Sequence, residues 1–98
     1  MTVRLRPGAE DDVRQICGWY REQHADLVPE FRRALDATLA RIARDPAVYP
    51  TVFGPIRRAL LRRFPYCVFY ILEPHEVVVI GVFHGRRDPT TWQSRHDA

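Results

Sequence analysis

Apolar residues recur along this chain with two different periods, and the changes of period mark out its elements. Thr2 to Arg6 alternates Val3 and Leu5 with polar residues, as a short half-buried strand does, and Pro7-Gly8 ends it. The period then lengthens. Val13, Ile16, Cys17 and Tyr20 stand at i, i+3, i+4 and i+7, on one face of a helix expected from about Ala9 to about His24. Glu10, Asp11 and Asp12 put negative charge in its first turn, where the helix dipole favours it. A second stripe, Phe31, Leu35, Leu39 and Ile42 with Ala34 and Thr38 beside it, follows an Asp26 N-cap and a first-turn Pro29. Arg32, Arg33, Asp36, Arg41 and Arg44 lie mostly off that stripe and read as a solvated face. Asp45-Pro46 stops the helix.

Strand-like apolar runs return in the second half. Pro46 to Pro55 reads as a loop with three prolines and a glycine. Ile56 to Leu61, Pro65 to Leu72 and Glu76 to His84 then read as strands joined by short links, an antiparallel meander with its hairpin turn at Pro74-His75. Asp88-Pro89 supplies an N-cap and a proline at the first helical position, opening a short segment that returns Trp92 to the sheet. Beyond Arg95 a loose end is expected. The fold class is α+β: a strand, a two-helix hairpin, a three-stranded meander and a short C-terminal helical segment, in one domain over residues 1–98.

The last two strands are apolar on both sides. Tyr66, Val68, Tyr70 and Leu72 oppose Cys67, Phe69 and Ile71; Val78, Ile80 and Val82 oppose Val77, Val79 and Phe83. A helix hairpin covers one face, so either the C-terminal segment or another chain covers the second, and a partner chain is the expectation.

Composition narrows the class. Ninety-eight residues suffice for one small core without metal or disulfide. The N-terminus turns acidic where a signal peptide is most apolar, and Val77 to Phe83 is too short to span a bilayer as a helix, so a cytoplasmic protein without a membrane role is expected. Cys17 and Cys67 lie among apolar neighbours, with no Cys-x-x-Cys and no histidine at ligand spacing; buried thiols are expected, and no metal or cofactor.

The formal net charge is +3. Residues 1–55 are balanced and the excess falls in residues 56–98, which suggests an anionic partner. Every basic side chain is arginine. Such residues clamp phosphate or carboxylate but are poor general bases. Arg57, Arg58, Arg62 and Arg63 flank one strand, where alternation sends neighbours to opposite faces; Arg86 and Arg87 follow another.

The order of elements, with Arg63-Phe64-Pro65-Tyr66, Tyr70, and a last strand ending His84-Gly85-Arg86-Arg87-Asp88-Pro89 before Trp92 and Arg95, resembles the RelE/ParE superfamily of toxins from bacterial type II toxin–antitoxin systems. The resemblance covers essentially the whole chain and is most specific from Arg57 to Arg95. It implies a cytoplasmic toxin, of the kind associated with plasmid stabilisation, neutralised by a cognate antitoxin whose C-terminal segment wraps it. Operator DNA would be reached only through the antitoxin. Antitoxin contacts are expected at Tyr66, Val68, Tyr70, Val78, Ile80, Arg57 and Arg63.

RelE-like members cleave messenger RNA on the ribosome, whereas ParE-like members poison DNA gyrase. Where the RelE pattern has two strand lysines this chain has Arg58 and Leu60; its arginine is Cys67 and its late tyrosine is Trp92, while Arg86 is retained. Arginine and tryptophan do not exchange protons as 2′-hydroxyl attack requires. The resemblance therefore points to the ParE-like branch, with gyrase bound through His84, Arg86, Arg87, Trp92, Arg58 and Arg62. The alternative is a ribosome-dependent endoribonuclease using His84, Arg86 and Arg58, His84 being the one group suited to proton transfer near neutral pH.

Overall fold

A computed structural model describes residues 1–97. Strand β1 (Thr2–Leu5) leads into helices α1 (Pro7–Gln23) and α2 (Leu27–Arg44). There follow β2 (Thr51–Phe53), β3 (Ile56–Leu60), β4 (Tyr66–Leu72), β5 (Glu76–His84) and helix α3 (Pro89–Gln93), then a 3₁₀ turn over Ser94–Asp97. The strands form one sheet in the order β1-β5-β4-β3-β2. β1 runs parallel to β5 and the other pairs are antiparallel.

The passage from β1 to α1 is abrupt because Pro7 takes the first helical position, where its missing N–H is no loss. Arg6, still extended, donates its N–H to the Val79 carbonyl at 3.0 Å and accepts the first helical bond from Glu10 at 3.0 Å. The ladder thus hands over directly to the helix. α1 buries Ala9, Val13, Ile16, Cys17 and Tyr20, and α2 buries Phe31, Leu35 and Ile42, against Ala59, Leu61, Val68, Tyr70, Val77, Val79 and Val82 of the sheet. Each large side chain so buried contributes about 1.5–3 kcal/mol before ordering costs.

Three expectations are corrected. Within the proline-rich loop, Thr51–Phe53 forms an edge strand that turns at Gly54, in the left-handed region at φ 53°, and pairs with β3. Its approach is anchored by side chains. Arg57 donates to the carbonyls of Ala47 and Tyr49, and the Tyr70 hydroxyl donates to the Pro46 carbonyl at 2.6 Å. A chain with few backbone donors of its own is held here by donors from the sheet.

Secondly, the chain covers its own second face. Ile56, Cys67, Phe69, Ile71, Val78, Ile80 and Phe83 form a second buried cluster with Trp92. The Trp92 indole stacks on Phe69 with ring centroids 4.7 Å apart and planes 16° from parallel. No partner chain is needed to bury that face. Thirdly, the end beyond Arg95 is not loose over the described residues, since the 3₁₀ turn continues to Asp97. Cys17 belongs to the helix-side cluster and Cys67 to the other, so the sheet separates two buried free thiols.

Candidate binding site at the end of the last strand

β5 outruns β1. The parallel ladder ends with Leu5 opposite Val79, so residues 80–84 have no strand on that side and face the first half of α1. A β-bulge begins there: Phe69 pairs with Gly81 and Tyr70 with Val79, leaving Ile80 as the extra residue. Gly81 is required by space, because an added Cβ would lie 2.5 Å from the Phe83 ring and 3.3 Å from Asp12 Oδ2.

Asp12 and Arg95 satisfy backbone groups of β5 beyond the end of β1. Asp12 Oδ2 accepts the Val82 N–H at 3.0 Å, and Arg95 Nη1 donates to the Ile80 carbonyl at 3.0 Å. The two side chains also pair with each other, Nη2 to Oδ1 at 3.0 Å and Nη1 to Oδ2 at 3.1 Å. The guanidinium carbon lies 4.7 Å from the Phe83 ring centroid. This clamp ties α1, β5 and the C-terminal turn together.

Beside the clamp opens a cleft of about 460 Å³, lined by Asp11, Gln15, Trp19, Tyr66, His84, Arg87 and Thr91 among others. His84 is half-buried, edge-on to Tyr66 with centroids 5.7 Å apart, and its Nδ1 accepts the Arg86 N–H at 3.0 Å. That bond places the ring hydrogen on Nε2. The Arg87 N–H donates to the His84 carbonyl at 3.0 Å, which turns the chain and leaves both Arg86 and Arg87 exposed. The Arg87 guanidinium lies 5.5 Å from the Phe83 ring. Asp88 caps α3, accepting the Thr90 N–H at 3.0 Å; this bond, and then the Thr90 hydroxyl, hold its carboxyl below the usual range.

Of the six residues expected to meet a target, three lie together at this strand end: His84, Arg86 and Arg87. Trp92 is buried on Phe69 and packs the core. Arg58 is exposed on the opposite face, across from Phe69, whereas His84 pairs with Tyr66 on the helix side. The trio His84, Arg86 and Arg58 is thus divided by the sheet. Arg62 lies near α2, in a different groove.

The expected antitoxin contacts need a similar correction. Val68 and Tyr70 are 0 % exposed beneath the helices, and Val78 and Ile80 are buried in the second cluster with Trp92. The chain's own elements occupy those contacts. Arg57 is committed to the loop carbonyls; Tyr66 and Arg63 retain surface. The Asp12–Arg95 clamp and the exposed Trp19 were not singled out from sequence, and Arg33 and Arg41, which line a groove beside α2, were read there as a solvated face. Only Gly81, a lone glycine in an apolar strand, carried a local signal for the bulge.

A strand, a helix hairpin laid on a mixed five-stranded sheet, and a basic turn after the last strand define a small α+β domain. Residues 3–89 match the family described as ParE toxin of type II toxin-antitoxin system, parDE, and the chain belongs to that family. Among solved structures it resembles one titled "Chromosomal ParDE TA system from P. aeruginosa", with a TM-score of 0.74 and 15 % identity over 86 % of this chain and 95 % of that one. At that identity the likeness concerns the fold. No curated protein sequence matches the chain. No helix among the described residues is long and apolar enough to cross a membrane.

Proposed function

We propose that the chain is a cytoplasmic toxin that inhibits DNA gyrase by direct binding through the turn after β5, and that its cognate antitoxin neutralises it. The observation that carries this reading is the separation of Arg58 from His84 by the sheet, in a member of the ParE toxin family. Residues on opposite faces do not act on one scissile phosphate. What the turn offers is two exposed arginines beside a cleft with an exposed indole, Trp19. Arginine and tryptophan are the residue types on which protein interfaces concentrate their energy.

Induction of the protein in cells lacking the antitoxin, followed by a supercoiling assay with purified gyrase and primer-extension mapping of ribosome-bound messages, tests the reading. Inhibited supercoiling with intact messages is the expected result. Codon-positioned cuts with unaffected gyrase would replace it with the endoribonuclease alternative.

A further inference from the structure

His84 closes the turn after β5 in the manner of an asparagine. Its Nδ1 accepts the N–H of Arg86, two residues on, at 3.0 Å. Asn and Asp side chains make the same bond when they build a turn on their own backbone. Asparagine keeps that bond at any pH. Imidazole keeps it only while the Nδ1 lone pair is free, because a protonated ring carries a hydrogen on both nitrogens and accepts from neither.

Both partners are held where they meet. The ring is half-buried and edge-on to Tyr66, with centroids 5.7 Å apart and planes at 74°. On either side of Arg86 the backbone is pinned: the Gly85 N–H donates to the Pro65 carbonyl at 2.7 Å, and the Arg87 N–H to the His84 carbonyl at 3.0 Å. A protonated ring therefore sets Nδ1–H against the Arg86 N–H, donor against donor. The residue between the two pins has to yield.

The surrounding charges act in the same direction. Asp11 and Asp12 of α1 line the cleft beside the ring, as do Tyr66 of β4, Arg87 of the turn and Arg95 of the C-terminal 3₁₀ turn. Both acids are engaged, Asp12 by Arg95 and the Val82 N–H, and Asp11 by Gln15 at 2.8 Å and Arg14 at 3.6 Å. The next acid along the chain, Asp88, accepts from Thr90 at the head of α3. Among the described residues Arg86 and Arg87 have no acidic partner. An imidazolium adds a third positive charge to their turn.

We propose that His84 is a proton-operated latch: the neutral ring holds Arg86 in place, and protonation releases the Arg86-Arg87 segment. The latched turn takes up the proton less readily than the open one. It is therefore stable at the upper end of the range in which imidazole side chains titrate, about pH 5 to 8, and is lost as pH falls through that range. The latch is a property of the chain alone. Its consequence, a target-binding turn that is ordered near neutral pH and loosened in acid, rests on the toxin reading above.

The test is an NMR titration of the purified chain from about pH 8 to about pH 5. It follows the His84 ring, the amide shifts of Gly85 and Arg86, and amide exchange corrected for intrinsic rates, in the native chain and in His84→Asn. In the native chain the Arg86 amide should move with the same midpoint as the ring and lose about fivefold in protection, the worth of one ordinary hydrogen bond, while Gly85 stays protected. In His84→Asn the side chain supplies the acceptor without titrating, so Arg86 should stay protected throughout. An Arg86 amide that stays unchanged while the native ring titrates would overturn the latch. So would an equal response in His84→Asn, which would assign the change to another group. Thermal melting verifies the fold of the variant; if it does not fold, the native titration decides alone, because different midpoints for ring and amide also overturn the latch. No target is present in the titration, so its failure is distinct from a failure of the toxin reading, which the supercoiling assay measures.

Discussion

The carboxylate of Asp12 and the guanidinium of Arg95, 83 residues apart in sequence, form a two-pronged pair with N···O distances of 3.0 and 3.1 Å. Between them they also take up the Val82 N–H and the Ile80 carbonyl, which lie beyond the end of the β1–β5 ladder. Asp12→Ala removes an acceptor from both the backbone donor and the arginine. Because the Asp12 side chain is only 10 % exposed and Arg95 28 %, the loss should be about 2–3 kcal/mol, below that of a fully buried pair. Denaturant melts of Asp12→Ala, Arg95→Ala and the double variant should give a coupling energy above about 1 kcal/mol. Additive losses would mean that the two side chains act independently.

Gly81→Ala should destabilise by about 1–3 kcal/mol although alanine is usually tolerated in strands, because the Phe83 ring occupies the space 2.5 Å from the new Cβ. Trimming the ring in Gly81→Ala/Phe83→Leu should recover part of the loss. A neutral Gly81→Ala would show that the ring moves freely.

Trp92→Ala takes away the cover over Phe69 and its neighbours, at a cost of about 3 kcal/mol. It also gives a chemical readout. Cys67 is 3 % exposed in the same cluster, and burial raises the pKa of its thiol despite the opposing field of Arg58. Its reaction with a thiol reagent should be slow in the native chain and much faster in Trp92→Ala, with Cys17 as the slow reference behind the sheet.

Tyr70 gives the chain an alkaline limit. Burial pushes its hydroxyl up to about 12, with Arg57 opposing and Tyr49 and Asp45 adding to the rise. The folded value exceeds the unfolded one near 10, so the folded state holds the proton more tightly between them. Its contribution to stability is complete below pH 10 and declines as pH rises toward 12. Tyr70→Phe should flatten that decline in denaturant midpoints, while losing about 1 kcal/mol near neutral pH with the bond to Pro46.

On the proposed gyrase-binding function, Arg86→Ala and Arg87→Ala should weaken growth inhibition, and gyrase inhibition in vitro, by about tenfold or more, with stability changed by less than about 0.5 kcal/mol. Both side chains are exposed on the turn after β5. Full potency in the double alanine variant would move the target contact elsewhere.

Most elements were legible because each carries a local period: the stripes of α1 and α2, the apolar runs of β4 and β5, and Asp88-Pro89 at the head of α3. β2 was not, since Thr51–Phe53 lies between prolines and is extended by bonds from Arg57 and Tyr70 to the preceding loop. His84, Arg86 and Arg87 were found because they are adjacent in sequence. Arg41 and Arg62 come together only through the left-handed turn at Arg63 and the packing of Phe64.

Hydrophobic period and cap chemistry act over a few residues, so the sequence alone determined the helices, four of the five strands of the sheet and the basic turn at Arg86-Arg87. The tertiary structure decided what depends on contacts between distant residues. It laid β1 parallel to β5, closed the second sheet face with Trp92, joined Asp12 to Arg95, and put Arg58 and His84 on opposite faces. Each of these follows from where the chain crosses itself, which no local pattern encodes.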